Sequence, residues 1–193
     1  MAQLRTVDLV DGRDCGSCTV CCESVAVEEL DKTTGVMCRH CIEGGGCGIY
    51  DTRPTCCREW FCGWRALGHL NDDWRPDKSG VLIAFVGEAS LEHDEVPAAY
   101  PRNVMISVMI LQPSAVAWRR ILEVLGGFVA AGVPAFLSIP GPPGFQPARI
   151  FVNEALKEPV ARRDGDAAMA VLDRAMQLLS SHPFVPVAFG QRR

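Results

Sequence analysis

"CGSCTVCCE", residues 15–23, puts four thiols into eight positions: Cys15, Cys18, Cys21 and Cys22. Two-residue spacing lets successive thiolates point at one centre through a tight turn whose backbone N–H groups face the sulfurs. The fourth thiol sits directly against the third. Adjacent side chains in an extended segment point to opposite sides. Cys21 is therefore expected to close the local run with Cys15 and Cys18, and Cys22 to face the downstream cysteines as a hinge between two ligand sets.

Those downstream cysteines fall into two groups. "MCRHCIEGGGCGIY" (37–50) carries Cys38, Cys41 and Cys47, and "RPTCCREWFCGW" (53–64) carries Cys56, Cys57 and Cys62. All ten cysteines lie between residues 15 and 62, and none in the following two thirds of the chain. A run of three completed by a distant fourth suits a [4Fe–4S] cluster, whereas structural zinc more often takes two local pairs. A thiolate metal site is predicted, with the metal left open. Arg39, Arg53, Arg58 and Arg65 are interleaved with the thiols and can offset the charge of a thiolate-rich centre.

The same segment is poor in aliphatic residues. "IEGGGCGIYDTRP" cannot be a helix, and short strands or turns are expected at "ESVAVEEL" (23–30) and "GIY" (48–50). Apolar burial here cannot offset chain entropy, so bound metal is expected to supply folding free energy.

The composition, 48% hydrophobic and 22% charged over 193 residues, is that of a soluble globular protein. A net charge of -4 argues against a nucleic-acid partner held by bulk electrostatics. The opening "MAQLRTVDLVDGRD" lacks the apolar run of a secretory signal, and runs such as "VLIAFV" fall far short of the roughly 20 residues that span a bilayer. The reading is cytoplasmic, with no membrane partner. In a reducing cytosol dense cysteine patterns mean metal binding or catalysis more often than disulfides.

From about residue 76 the text changes character. "GVLIAFVGEA" (80–89) and "NVMISVMILQ" (103–112) read as neighbouring strands. A helix is predicted in "PSAVAWRRILEVLGGFVAAG", with Ala117, Ile121, Val124, Leu125 and Phe128 on one face, Ser114 as N-cap and Gly132 as stop. "VPAFLSIP" and "ARIFVNEAL" read as two more strands. A final helix in "DGDAAMAVLDRAMQLLSSHP" carries Met169, Leu172, Met176 and Leu179 and ends by Pro183. The expectation is an α+β fold: a cysteine-rich module over 1–75 docked on a second domain, 76–193, with a mostly antiparallel sheet and two helices.

The cysteine segment resembles the YkgJ-type zinc- or iron-chelating proteins, a bacterial cysteine-cluster family. The resemblance lies in "CGSCTVCC", in "CRHC…GGGCGIYDTRPTCCREWFCGW" and in "LNDDWRPDKSGVLIAF", over roughly residues 12–86. Carried over position by position, the family pattern implies eight metal ligands: Cys15, Cys18, Cys21, Cys22, Cys38, Cys47, Cys57 and Cys62. Cys41 and Cys56 fall where the pattern does not call for cysteine and become spare thiols. Tyr50, Arg53, Pro54 and Arg58 match intervening family residues and are expected to shape the site. A similar cysteine module in flagellin lysine N-methylases implies an iron–sulfur cluster as the leading occupant, ahead of zinc and then copper(I). Eight ligands suit two four-thiolate sites, or one cluster with extra thiols around it. The resemblance implies metal binding and no settled reaction. A zinc-stapled interaction module, binding a protein partner through the α+β half, is the alternative.

Trp60, Phe61 and Trp64 beside Cys62 are expected to pack over the site and keep water away. His40 could replace a thiolate, although eight thiolates already suffice. His69 lies near the cysteine segment, and His93 and His182 read as surface residues. Met169 and Met176 are read as core fillers.

Overall fold

The computed structural model describes residues 8–88, 96–113 and 118–189. The expected N-cap Ser114, the helix residue Ala117 and His93 lie outside these described residues.

The cysteine segment folds into short pieces: α1 (Val20–Ser24), the hairpin β1 (Cys41–Ile42) and β2 (Gly46–Cys47), α2 (Thr55–Glu59) and α3 (Gly63–Ala66). Of the short strands or turns expected near residues 23–30 and 48–50, the structure has turns: the single 3₁₀ turns Glu28–Leu30 and Tyr50–Thr52. Neither stretch has a partner strand of matching length; Val27 makes only an isolated bridge to Lys32.

After α4 (Pro76–Ser79), β3 (Val81–Val86) and β4 (Met105–Ile110) form where β-branched and apolar residues predicted them. Next come α5 (Trp118–Ala130), β5 (Ala135–Ile139), β6 (Ala148–Phe151), α6 (Asn153–Arg162) and α7 (Gly165–Ser180). The sheet runs β3-β4-β5-β6. It is mixed rather than antiparallel: β4 and β5 pair in parallel, with Val108 opposite Leu137. The reason is connectivity, because α5 carries the chain back to the starting edge before β5 begins. A second correction concerns "ARIFVNEAL": β6 stops at Phe151 and Asn153 opens a third helix, α6.

Asn153 shows why the chain turns there. It is 1% exposed, accepts from the Ala135 N–H at 2.7 Å and donates to the Val133 carbonyl at 2.8 Å. A polar side chain with both partners satisfied thus ties the start of α6 to the entrance of β5. α7 begins as predicted: its N-cap Asp164 accepts from the Ala167 N–H at 3.0 Å, and Leu172 and Leu179 are buried. In α5, Ile121 and Leu125 are buried, and the chain stops at Gly132 with φ +69. α5, α6 and α7 pack on one another, with α7 against β5 and β6.

β4 is buried at every position, so both faces of the sheet are covered. The face carrying Leu82 and Met109, opposite each other in the β3–β4 register, turns toward the cysteine segment. There Cys62 makes an antiparallel bridge to Ala84 on the edge strand β3. Cys62, Trp64, Leu70 and Trp74 join the same buried cluster as the sheet and helices. The cysteine segment is thus continuous with the conventional core. Among the described residues no helix is long and apolar enough to cross a membrane.

Candidate metal centre

Each thiol is placed by local backbone structure. The Cys18 N–H closes a turn onto the Cys15 carbonyl at 2.9 Å. Cys21 and Cys22 lie on α1, which corrects the extended geometry expected for them; on a helix neighbours diverge by about 100° rather than 180°. The Cys38 N–H bonds the Cys22 carbonyl at 2.9 Å, and Cys41 sits opposite Cys47 in the β1–β2 hairpin. Cys56 and Cys57 ride on α2, whose first N–H groups, from Thr55 and Cys56, reach the Glu29 carboxylate at 3.2 Å. Cys62 precedes α3. All ten cysteines are free thiols.

These pieces enclose a cavity of about 220 Å³. All eight predicted ligands line it, although they span 48 positions of sequence, and so does Cys56. Cys56 had been set aside as spare; it is exposed on α2 and reaches the rim beside Cys57. Cys41 and His40 lie outside the lining. Trp60, Phe61, Trp64 and Leu82 form apolar wall, as expected for the three aromatics. A second, more polar cavity of about 590 Å³, with Glu23, Thr34 and Gln112 on its wall, shares Val20 and Pro76 with the first.

Two cations are buried in the cysteine segment. Arg65 is 8% exposed; its Nη1 lies 3.5 Å from Cys15 Sγ and donates to the Tyr50 hydroxyl at 3.1 Å. The Tyr50 hydroxyl also approaches Cys15 Sγ, at 4.0 Å, and Arg53 stacks on the Tyr50 ring at 3.6 Å. Lys32 is 6% exposed and donates to the carbonyls of Glu23 and Val25. Of the four arginines read from the sequence, only Arg65 is buried; Arg39 and Arg58 are exposed. Lys32 carried no signal in the sequence, being one charge in a polar turn.

Two buried donors on residues that border this cavity have no hydrogen-bond partner: Arg65 Nε and Trp64 Nε1. Leaving a buried donor unmade costs roughly 1–3 kcal/mol, so such atoms mark where an acceptor belongs. Burial pushes the Cys18 thiol up to about 11 and the Cys57 thiol up to about 12. Cys62 is raised for the same reason. Within the adjacent pair, the hydrogen bond between the two thiols raises Cys21 and brings Cys22 down to about 6, with Lys32 and Arg53 adding to the fall. The raised thiols are therefore protonated at neutral pH without metal, and a metal that takes these sulfurs as thiolates releases protons.

The chemistry gathered here is nine thiols around the cavity and two buried cations, Arg65 and Lys32, in the same segment. The cavity's dimensions bear on the size of its occupant. On this measure one water needs only about 10–15 Å³, whereas four sulfurs about 2.3 Å from a zinc close around it completely. Among the described residues, no three Cys, His, Asp or Glu side chains converge closely enough to hold one ion. No protein-family model, curated protein or solved structure matches this chain.

Proposed function

We propose that this chain is an iron–sulfur protein whose cysteine segment holds its metal in the thiol-lined cavity, in a redox or iron-related role in the cytoplasm. The observation that carries the reading is a cavity lined by nine thiols with the buried Arg65 on its wall, its Nη1 3.5 Å from Cys15 Sγ. Soft thiol donors beside a buried guanidinium suit an anionic, sulfur-ligated occupant. A thiolate-ligated cluster has these properties, and when bound it supplies one-electron chemistry tuned by hydrogen bonds to sulfur and by burial.

The chain's own residues have definite tasks in this reading. Arg65 and Tyr50 orient Cys15 and offset its charge. Lys32 supplies the counter-charge on the other side of α1. Trp60, Phe61 and Leu82 exclude water, and the bridge from Cys62 to Ala84 fixes the centre against the rigid sheet. The test is purification without air, followed by visible absorption and iron and sulfide analysis. Broad visible absorption with stoichiometric iron and acid-labile sulfide is expected. A colourless protein carrying only zinc would overturn the reading in favour of a zinc-stapled interaction module.

A further inference from the structure

The β1–β2 hairpin holds one thiol that belongs to the cavity wall and one that does not: Cys47 lines the cavity and Cys41 lies outside the lining. Cys41 on β1 stands directly opposite Cys47 on β2 in an antiparallel pairing, with Ile42 opposite Gly46 toward the turn. The Gly48 N–H bonds the His40 carbonyl at 2.8 Å, one position outside the pair on each strand. In an antiparallel ladder that bond marks Cys41 and Cys47 as a non-hydrogen-bonded pair, the kind whose Cα atoms come to about 4.5 Å. Side chains opposite each other leave the same face, with Cβ atoms about 4.5–5.5 Å apart or closer. A disulfide asks for Cα atoms roughly 4.4–6.8 Å apart and Cβ atoms roughly 3.5–4.5 Å apart. The strand register therefore brings this pair to within about an ångström of the bonded geometry.

The surroundings allow the last movement. Glu43, Gly44 and Gly45 at the tip are exposed, and Gly44 and Gly46 have φ of +68 and +81, which glycine adopts without strain. A tip of three consecutive glycines leaves the two short strands free to adjust. Ile42, beside Cys41, is 56% exposed, so a small oxidant can reach the hairpin. Both thiols are free. Among the described residues no other two cysteines face each other across paired strands.

We infer that Cys41 and Cys47 form a reversible disulfide when the chain meets a hydroperoxide. One thiolate attacks the peroxide O–O bond; its sulfur becomes a sulfenic acid and the other oxygen leaves as water. The facing thiol then attacks the sulfenic sulfur, the S–O bond breaks, the S–S bond forms and a second water leaves. The two thiols give up two electrons and two protons, and hydrogen peroxide takes them in becoming two waters. Exchange with a dithiol reverses the bond. In a reducing compartment such a bond is transient, as redox-sensing disulfides are. The bond itself needs no metal. Its consequence for the cavity rests on the metal-binding reading above: closing it takes the Cys47 sulfur out of the thiols available there, with Cys41 as the partner that draws it away.

The test adds hydrogen peroxide to the full chain purified without air, blocks the remaining thiols, and maps the bonds by digestion and mass spectrometry. A bond joining Cys41 to Cys47 is expected, reversed by dithiothreitol and absent from the Cys41→Ser variant, whose substitution leaves the cavity wall intact. The backbone brings two competitors near: the Cys38 N–H bonds the Cys22 carbonyl and the Cys41 N–H bonds the Cys38 carbonyl, each at 2.9 Å. A bond from Cys41 to Cys22 or Cys38 instead would overturn the inference. So would a Cys41 that stays free, or goes on to a sulfinic acid, while other thiols form disulfides. Metal content measured in the same samples keeps the two claims apart. A chain that never held metal yet forms the bond refutes metal binding and supports the inference; a metal-loaded chain whose Cys41 stays free after peroxide does the opposite.

Discussion

Gly46 offers a way to disturb the site without removing a thiol. It precedes Cys47 on β2, has φ +81, and packs against the backbone of Gly16 in the Cys15–Cys18 turn. A Cβ at Gly46 would fall on the Gly16 carbonyl oxygen, far inside the 3.0 Å that real Cβ contacts essentially never cross. The obstacle is backbone, so it cannot rotate aside. Gly44, two residues earlier in the same hairpin, also has positive φ (+68) but nothing within 4 Å of its would-be Cβ. Gly44→Ala therefore pays only the left-handed strain, about 1–2 kcal/mol. Gly46→Ala adds overpacking of about 1–3 kcal/mol and must push the two cysteine-bearing loops apart. Metal content and thermal unfolding of both variants form the assay. Gly46→Ala should unfold several degrees below Gly44→Ala and lose metal. Equal behaviour of the two would refute the contact between the Cys47 hairpin and the Cys15–Cys18 turn.

Other consequences are more direct. Arg65→Met removes a charge-assisted hydrogen bond to Cys15 worth about 1.5–3 kcal/mol, so metal should be lost to a chelator at least tenfold faster. In the same variant any reduction potential should fall, because a positive charge beside the centre favours its reduced form; an unchanged potential would remove Arg65 from the site. Cys18→Ser and Cys57→Ser should lose metal, whereas Cys41→Ser and Cys56→Ser should leave metal content nearly unchanged, and equal losses in all four would refute the ligand choice. Asn153→Ala breaks two buried hydrogen bonds far from the thiols and should destabilise the chain by about 2–3 kcal/mol, measured by urea unfolding, with metal content unaltered.

Local signals in the sequence located most of these parts. β-branched runs placed β3 and β4, an apolar stripe placed α7, and the family resemblance implied eight thiols, all of which line one cavity. Non-local facts were hidden. Parallel pairing of β4 and β5 depends on where α5 returns the chain, and no residue in either strand encodes it. α6 was masked because "ARIFVNEAL" begins as a strand and its helical start depends on Asn153 meeting Ala135 and Val133. The burial of Lys32 left no trace in its neighbours, since a cation in a polar turn reads as solvated until the fold brings the Glu23 and Val25 carbonyls to it. The doubled Cys21–Cys22 reads as an extended pair in the sequence, whereas the fold puts both residues on the short helix α1.

The central claim is that metal sits among these sulfurs. X-ray absorption at the metal edge of protein purified without air tests it most directly. The account predicts a first shell of sulfur alone, about 2.3 Å away for any zinc, with iron neighbours beyond it in the cluster. A first shell of oxygen or nitrogen, or a protein that binds no metal with its thiols free, would contradict it.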